Sequence, residues 1–173
     1  MNLIYEPVTA ANLLDYIRVG IQSYQEHYLH LWENGDPSSF VNAYLTETSV
    51  LPALKDPKQG FYLIKEKDTP LGILNVTFDA PRANFLSKDN LLLNKIYLLK
   101  SQSGRGVGAK TLDFVEQLAI KHDKNLVWLL AMQKGKPKDF YQKHRYKIIE
   151  AAEIQLSGVL HSEKAMWLMA KQL

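Results

Sequence analysis

The sequence predicts one α/β domain, with a central sheet and helices on both faces. Apolar runs of strand length alternate with helix-length stretches in the order β-α-α-β-β-β-α-β-α-β-β. The chain has 173 residues and contains no internal repeat, low-complexity tract or linker, so a single domain over residues 1–173 is expected. With 46% hydrophobic and 23% charged residues, the composition is that of a soluble globular chain. A chain of this length buries roughly two thirds of its unfolded surface, enough for a core.

Residues 2–7, "NLIYEP", read as a short strand. Thr9 is placed to cap a helix running to about Trp32, with Leu13, Ile17, Ile21, Tyr24 and Tyr28 on one face. "NGDPSS" breaks it. A second helical stretch, Ser39 to Leu54, kinked or split, carries Phe40, Tyr44, Val50 and Leu54. "FYLIKEKDTPLGILNVTFD" reads as a hairpin around "KDTP". After the loop "APRANFLSKDN", Leu91–Leu99 is an apolar run interrupted by Asn94 and Lys95, as in a strand buried over much of both faces. Glycines 104, 106 and 108 follow, and then a helical stripe of Leu112, Val115, Leu118 and Ala119 that ends near "KHDKN". "LVWLLAM" is a buried strand, and Pro137 suits the first turn of a short helix, "PKDFYQKH". "YKIIEAAEIQL" and "KAMWLMAKQL" are late strands.

Composition removes several chemistries. Without cysteine there is no disulfide framework, thiolate metal site or cysteine nucleophile, and a cytoplasmic location is expected. The N-terminus lacks a basic start followed by a long apolar run, so no signal peptide is expected. No apolar stretch is long enough to span a membrane. No His/Asp/Glu group has metal-ligand spacing, so no metal is expected. The net charge of +3 suits an anionic ligand. Basic residues from Lys134 to Lys147 are spread over a loop and a short helix without an aromatic platform, so no nucleic-acid partner is expected.

The stretch "KIYLLKSQSGRGVGAKTL" carries the chemistry. A Walker loop would need Gly-Lys-Ser/Thr, but Gly108 is followed by Ala109 and Lys110. Gly104, Gly106 and Ala109 fit a dinucleotide fingerprint, yet the next strand ends "LLAMQKGK" without the ribose-binding carboxylate. A third reading is a pyrophosphate cradle of backbone N–H groups at a helix start, with charge from Arg105 and Lys110. The fourth is a glycine-rich turn with no ligand.

"IYLLKSQSGRGVGAKTL" resembles the acyl-CoA-binding motif of the GNAT family of N-acetyltransferases, and "FYQKHRYKII" is similar to its later tyrosine segment. "PSSFVNAYL", "LKDPKQGFYLI" and "KAMWLMAKQL" are similar to its bacterial polyamine (spermidine/spermine) branch. The resemblance implies a mixed, mostly antiparallel sheet of about six to seven strands flanked by helices. It implies acetyl-CoA as co-substrate and direct transfer to a primary amine, with no covalent enzyme intermediate. Ser103, Gly104, Arg105, Gly106, Val107, Gly108 and Ala109 would hold the pyrophosphate. Ile96, Tyr97 and Leu98 would line the pantetheine arm, and the Leu98 N–H would polarise the thioester. Tyr141 would protonate the departing thiolate.

Three positions depart from the family pattern. Ser103 stands where Gln or Arg is usual, Lys134 where an asparagine is usual, and Leu92 where many members carry a glutamate. Lys134 could still meet CoA phosphates. The base is then a water chain or another group, with Asp79, Glu26 and His27 as candidates and His144 and His161 as weaker ones. A polyamine acceptor would draw on Glu26, Glu33, Asp36 and Asp79, each of which also reads as a solvated surface residue. The expected partner is a small-molecule amine, and the chain a monomer or homodimer. The alternatives are a CoA-binding regulatory protein without catalysis, or an acetyltransferase acting on protein N-termini or other small amines.

Overall fold

The computed structural model describes residues 1–82, 85 and 87–173. Strand β1 (Leu3–Pro7) leads into helices α1 (Leu13–Tyr28), α2 (Ser38–Tyr44) and α3 (Glu47–Ala53). Then come β2 (Gln59–Glu66), β3 (Thr69–Phe78), β4 (Asn90–Leu98), α4 (Val107–Lys121), β5 (Leu126–Met132), α5 (Pro137–Lys143), β6 (Lys147–Glu153) and β7 (Ala165–Gln172). The strands form one open sheet in the order β1-β2-β3-β4-β5-β7-β6. Among the described residues only β4 and β5 pair in parallel, so the sheet is mixed and mostly antiparallel. No helix among the described residues is long and apolar enough to cross a membrane.

Alternation along the strands builds two cores. Ile64, Leu74, Val76, Leu91 and Leu93 pack under Val107, Leu112, Val115 and Ala119 of α4, with Phe140 and Tyr141 of α5 beside them. Leu63 and Ile73 on the opposite face meet α1, Phe40 of α2 and Val50 of α3. Helices thus cover both faces. Gly20 allows α1 its close approach, since a Cβ there would stand 2.9 Å from both Ile73 Cδ1 and Leu45 Cδ2.

The local expectations need three corrections. Thr9 does not cap α1; Asn12 precedes the helix, and its Oδ1 accepts from the Thr9 amide at 2.7 Å in the entering turn. The helix ends at Tyr28, and Trp32 leaves it to bridge Val159. The buried face of α1 is Leu13, Tyr16, Val19, Gly20, Ser23 and Tyr24, with Ile17, Ile21 and Tyr28 at its flank. The second helical stretch is split, as expected: the break falls at Thr46, whose extended backbone (φ −122°, ψ 160°) and reciprocal capping with Ser49 start α3 afresh.

The sheet opens between its parallel neighbours. β4 and β5 pair only from Asn90↔Leu126 to Leu93↔Leu129. Beyond that, β4 continues beside β3 to Leu98 and β5 beside β7 to Met132, leaving a wedge between them. β4 also bulges there: Val76 pairs with Leu93 but Asn75 pairs with Lys95, so Asn94 is the extra residue.

Candidate active site

The wedge exposes strand edge. The Leu99 amide donates to Leu71 in β3 at 2.9 Å, and antiparallel backbone groups alternate sides. Ile96 and Leu98 therefore turn their N–H and C=O groups away from β3, toward the gap left by β5. The Leu98 carbonyl accepts from Nε2 of His27 at 3.1 Å, which confirms the direction.

The glycine turn lies at the end of that edge. Lys100–Gln102 form a single 3₁₀ turn, and Glu26 Oε2 accepts from the Lys100 amide at 2.6 Å. That amide and the Gln22 side chain hold the Glu26 carboxyl below its usual range. Ser103 and Arg105 turn their amides inward, to the carbonyls of Lys100 at 3.1 Å and Gln102 at 3.3 Å. Among the described residues, the amides of Gly104, Gly106, Val107, Gly108 and Ala109 donate to no protein acceptor. Gly104 (φ +76°) and Gly106 (φ +78°) occupy the left-handed region, where glycine carries no strain. No side chain caps α4. Free N–H groups at the positive end of a 15-residue helix suit a diphosphate.

Two chambers meet at the wedge. The donor-side chamber, about 450 Å³, reaches Ser103 and Gly108, the segment Lys134–Pro137, and Phe140 and Tyr141. The second, about 500 Å³, lies under α1 and α2 and reaches Lys95, Trp32 and the segment Glu153–Leu156. Tyr28, Ile96, Tyr97, Met132 and Tyr141 line both, so the passage between them is apolar and aromatic. Tyr97 packs against Tyr24, Tyr28 and Phe40 with ring centroids 5.4, 5.5 and 5.9 Å away. Burial pushes the phenols of Tyr97 and Tyr141 well above their ordinary value, so both stay protonated. The Glu33 amide donates to Gly158 at 2.9 Å and the Leu160 amide to Leu31 at 2.8 Å, tying the segment after α1 to the loop before β7.

The residues expected at the site separate into two groups. Ile96, Tyr97, Leu98, Ser103, Gly108, Lys134 and Tyr141 line the donor-side chamber, and His27 joins them. Lys134 is ion-paired with Glu163 at 2.7 Å, which holds the Glu163 carboxyl below its usual range. The charges expected of Arg105 and Lys110 are committed elsewhere. Arg105 binds Glu66 at 2.9 Å and Gln102 at 2.5 Å, and Lys110 binds the Met1 carbonyl at 2.8 Å.

The acceptor-side expectations need correction. Glu26 is tied to Lys100 and lines neither chamber. Asp79 lies where β4 begins: its amide donates to Asn90 at 3.0 Å, and its carboxylate pairs with Lys124 at 2.5 Å. That end of β4 is roughly 25 Å from Leu98 along the strand. Glu33, Asp36 and His161 also lie outside both chambers, as does His144, whose ring packs tilted against Phe140 at 4.8 Å. Leu92 packs with Phe85 and Trp128 in a third cluster, away from the wedge. Lys136, from the basic run expected as a solvated face near the CoA phosphates, lines the donor side, whereas Pro137 and Met132, which line both chambers, and Lys95 and Glu153 on the second were not foreseen as site residues. The interruption of an apolar strand by Lys95 was the one available signal for them.

Comparison with known proteins agrees with this geometry. The model of the Acetyltransferase (GNAT) family matches residues 21–145. An uncharacterised N-acetyltransferase from the pepI 3′ region of Lactobacillus delbrueckii subsp. lactis is 22% identical over 135 residues, 78% of each chain. The PaiA N-acetyltransferase of Thermoplasma acidophilum, solved with coenzyme A, superposes with a TM-score of 0.79 over 100% of both chains at 15% identity. A GCN5-related N-acetyltransferase from Rhodopseudomonas palustris gives a TM-score of 0.77 over 100% of this chain and 97% of its own, also at 15% identity. The overall fold is thus shared with solved acetyltransferases, and the chain belongs to the acetyltransferase (GNAT) family, as an N-acetyltransferase drawing on acetyl-CoA.

Proposed function

We propose that this protein transfers an acetyl group from acetyl-CoA directly to a primary amine where its two chambers meet. The observation that carries the reading is the free edge of β4 at Ile96 and Leu98, set between the glycine turn and the second chamber. The amides of Gly104 and of Gly106–Ala109 take the pyrophosphate, and Lys136 offers charge beside it. The pantetheine arm runs along β4 toward Tyr141. The Leu98 N–H then faces the thioester oxygen, where negative charge develops during attack.

Among the described residues the carboxylates on the chambers are Glu163 on the donor side, ion-paired with Lys134, and solvent-exposed Glu153 on the other, so the ammonium's proton is taken to pass to water before attack. The amine nitrogen bonds to the thioester carbon, the carbon–sulfur bond breaks, Tyr141 gives its proton to the departing thiolate, and the second proton shed by the nitrogen restores the phenol. A protonated phenol close to the sulfur suits that step. A polyamine acceptor is the narrower reading that the N-terminal half suggests. In its favour is Glu153, among the described residues the one carboxylate on the second chamber.

Incubating the protein with acetyl-CoA and a panel of primary amines that includes spermidine and spermine, and following free thiol, tests the reading. Thiol release that depends on an amine supports it. Tight CoA binding without release for any amine would overturn it.

A further inference from the structure

We infer that the acceptor amine also carries an anionic group, a carboxylate in the simplest case, which pairs with Lys95 in the second chamber. The inference rests on that chamber being the acceptor site, and it names the class of acceptor.

The bulge at Asn94 puts Lys95 where it is. Leu93 points into the core beneath α4, whereas Tyr97 points to the α1 face. Without the extra residue, positions 93, 95 and 97 would share one face. With it, Lys95 lies on the chamber side beside Tyr97. Its Nζ stands 4.5 Å from the Tyr44 ring centroid and 3.5 Å from Oδ1 of Asn75. Neither contact neutralises the ammonium. The Asn75 amide is itself held by donation to the Gly60 carbonyl at 3.1 Å. Among the described residues no carboxylate pairs with Lys95. Glu153 faces the same chamber from the end of β6, where it is solvent-exposed.

A cation partly withdrawn from water and left without a carboxylate partner favours any ligand that brings one. Burial pushes the Lys95 ammonium down to about 8, so it remains mostly charged at neutral pH, and a bound carboxylate holds the proton on more firmly. A polyamine would instead bring a second cation toward it, so an anionic acceptor competes with the polyamine reading, and the diamines in the test decide between them. Lys95 lies three residues from Leu98 on the same strand, a span of roughly 10 Å, so an ω-amino acid of a few methylenes could reach from the thioester to Nζ. The chemistry at the thioester is unchanged: the amide bond forms, the thioester bond breaks, water takes the ammonium proton and Tyr141 protonates the thiolate.

The test compares acceptors matched in length: ω-amino acids from glycine to ε-aminocaproate, the corresponding n-alkylamines, and the corresponding diamines. In the wild type the best ω-amino acid should exceed its alkylamine in kcat/KM by roughly ten- to a hundredfold, the worth of a charge-assisted hydrogen bond. Lys95→Met should bring that ratio close to one, Lys95→Arg should keep most of it, and Lys95→Glu should turn the preference toward the diamine. Because each result is a ratio within one variant, a general loss of folded protein does not imitate it. Alkylamines or diamines matching or exceeding every ω-amino acid in the wild type would overturn the inference while leaving acetyl transfer standing. So would a ratio that Lys95→Met leaves intact. Absence of turnover with any amine would overturn the acetyltransfer reading and the inference with it.

Discussion

The imidazole of His27 donates from Nε2 to the carbonyl of Leu98 at 3.1 Å, joining the last turn of α1 to the free edge of β4 across 71 positions of sequence. The contact holds the edge that faces the wedge, although neither residue type suggests it. His27→Ala removes a hydrogen bond worth about 1 kcal/mol, so kcat/KM for acetyl-CoA should fall about five- to tenfold. Steady-state kinetics checks this, and a wild-type kcat/KM in the variant would show that the edge needs no support from α1.

Tyr141 lines both chambers, and burial keeps its phenol protonated. Tyr141→Phe keeps the ring and removes the proton. Turnover should fall on the order of a hundredfold, as for loss of a positioned general acid, with little change in CoA affinity. Measuring kcat by thiol release and CoA binding by calorimetry separates the two effects. An unchanged kcat would remove Tyr141 as the acid.

Two glycines flank the edge for different reasons. A Cβ on Gly72 would stand 2.3 Å from the Tyr97 carbonyl oxygen and 2.7 Å from Leu98 Cδ2, so Gly72→Ala must part β3 from β4. We expect it to destabilise the fold by about 1–3 kcal/mol, as overpacking does, and to weaken CoA binding. A Cβ on Gly104 meets nothing within 4 Å, but φ is +76°. Gly104→Ala therefore strains only the turn, by roughly 1–2 kcal/mol. Thermal melts with and without CoA should show Gly72→Ala as the more damaging of the two in the free protein.

Lys95 has a pH signature. Its ammonium is pushed from its ordinary value of 10.5 down to about 8, with desolvation as the cause. Between those values the unfolded chain holds more protons than the folded one, so Lys95 makes stability rise with pH across the window. Below pH 8 the lysine is charged in both states, and the folded state bears the desolvation cost in full; above 10.5 it bears none. Lys95→Met should therefore melt higher than the wild type at pH 7, and the advantage should shrink as pH rises toward 10.5. Chemical denaturation at pH 7, 9 and 10.5 checks the sign, and a gap that does not narrow would contradict it.

Much of the site was legible because its chemistry is local. The apolar run into Gly104, Gly106 and Gly108, with a helix after it, requires left-handed turns and leaves free N–H groups wherever the rest of the chain lies. The strand expected over Leu91–Leu99 is β4, Asn90–Leu98. The acceptor side was not legible in the same way. Glu26 and Asp79 looked available because a carboxylate in a sequence has no direction. Folding ties one to Lys100 and the other to Lys124.

The sequence by itself determined an α/β chain, a glycine-capped helix after an apolar strand, and a tyrosine in the helix that follows β5. These rest on periodicity and on the conformations that glycine alone adopts without strain, and both act over a few residues. Only the tertiary structure decided that β4 and β5 part after Leu93 and Leu129, because a gap between strands depends on what each pairs with on its other side. It also decided, through the bulge at Asn94, that Lys95 faces the open chamber, since one extra residue in a strand reverses the faces of all that follow.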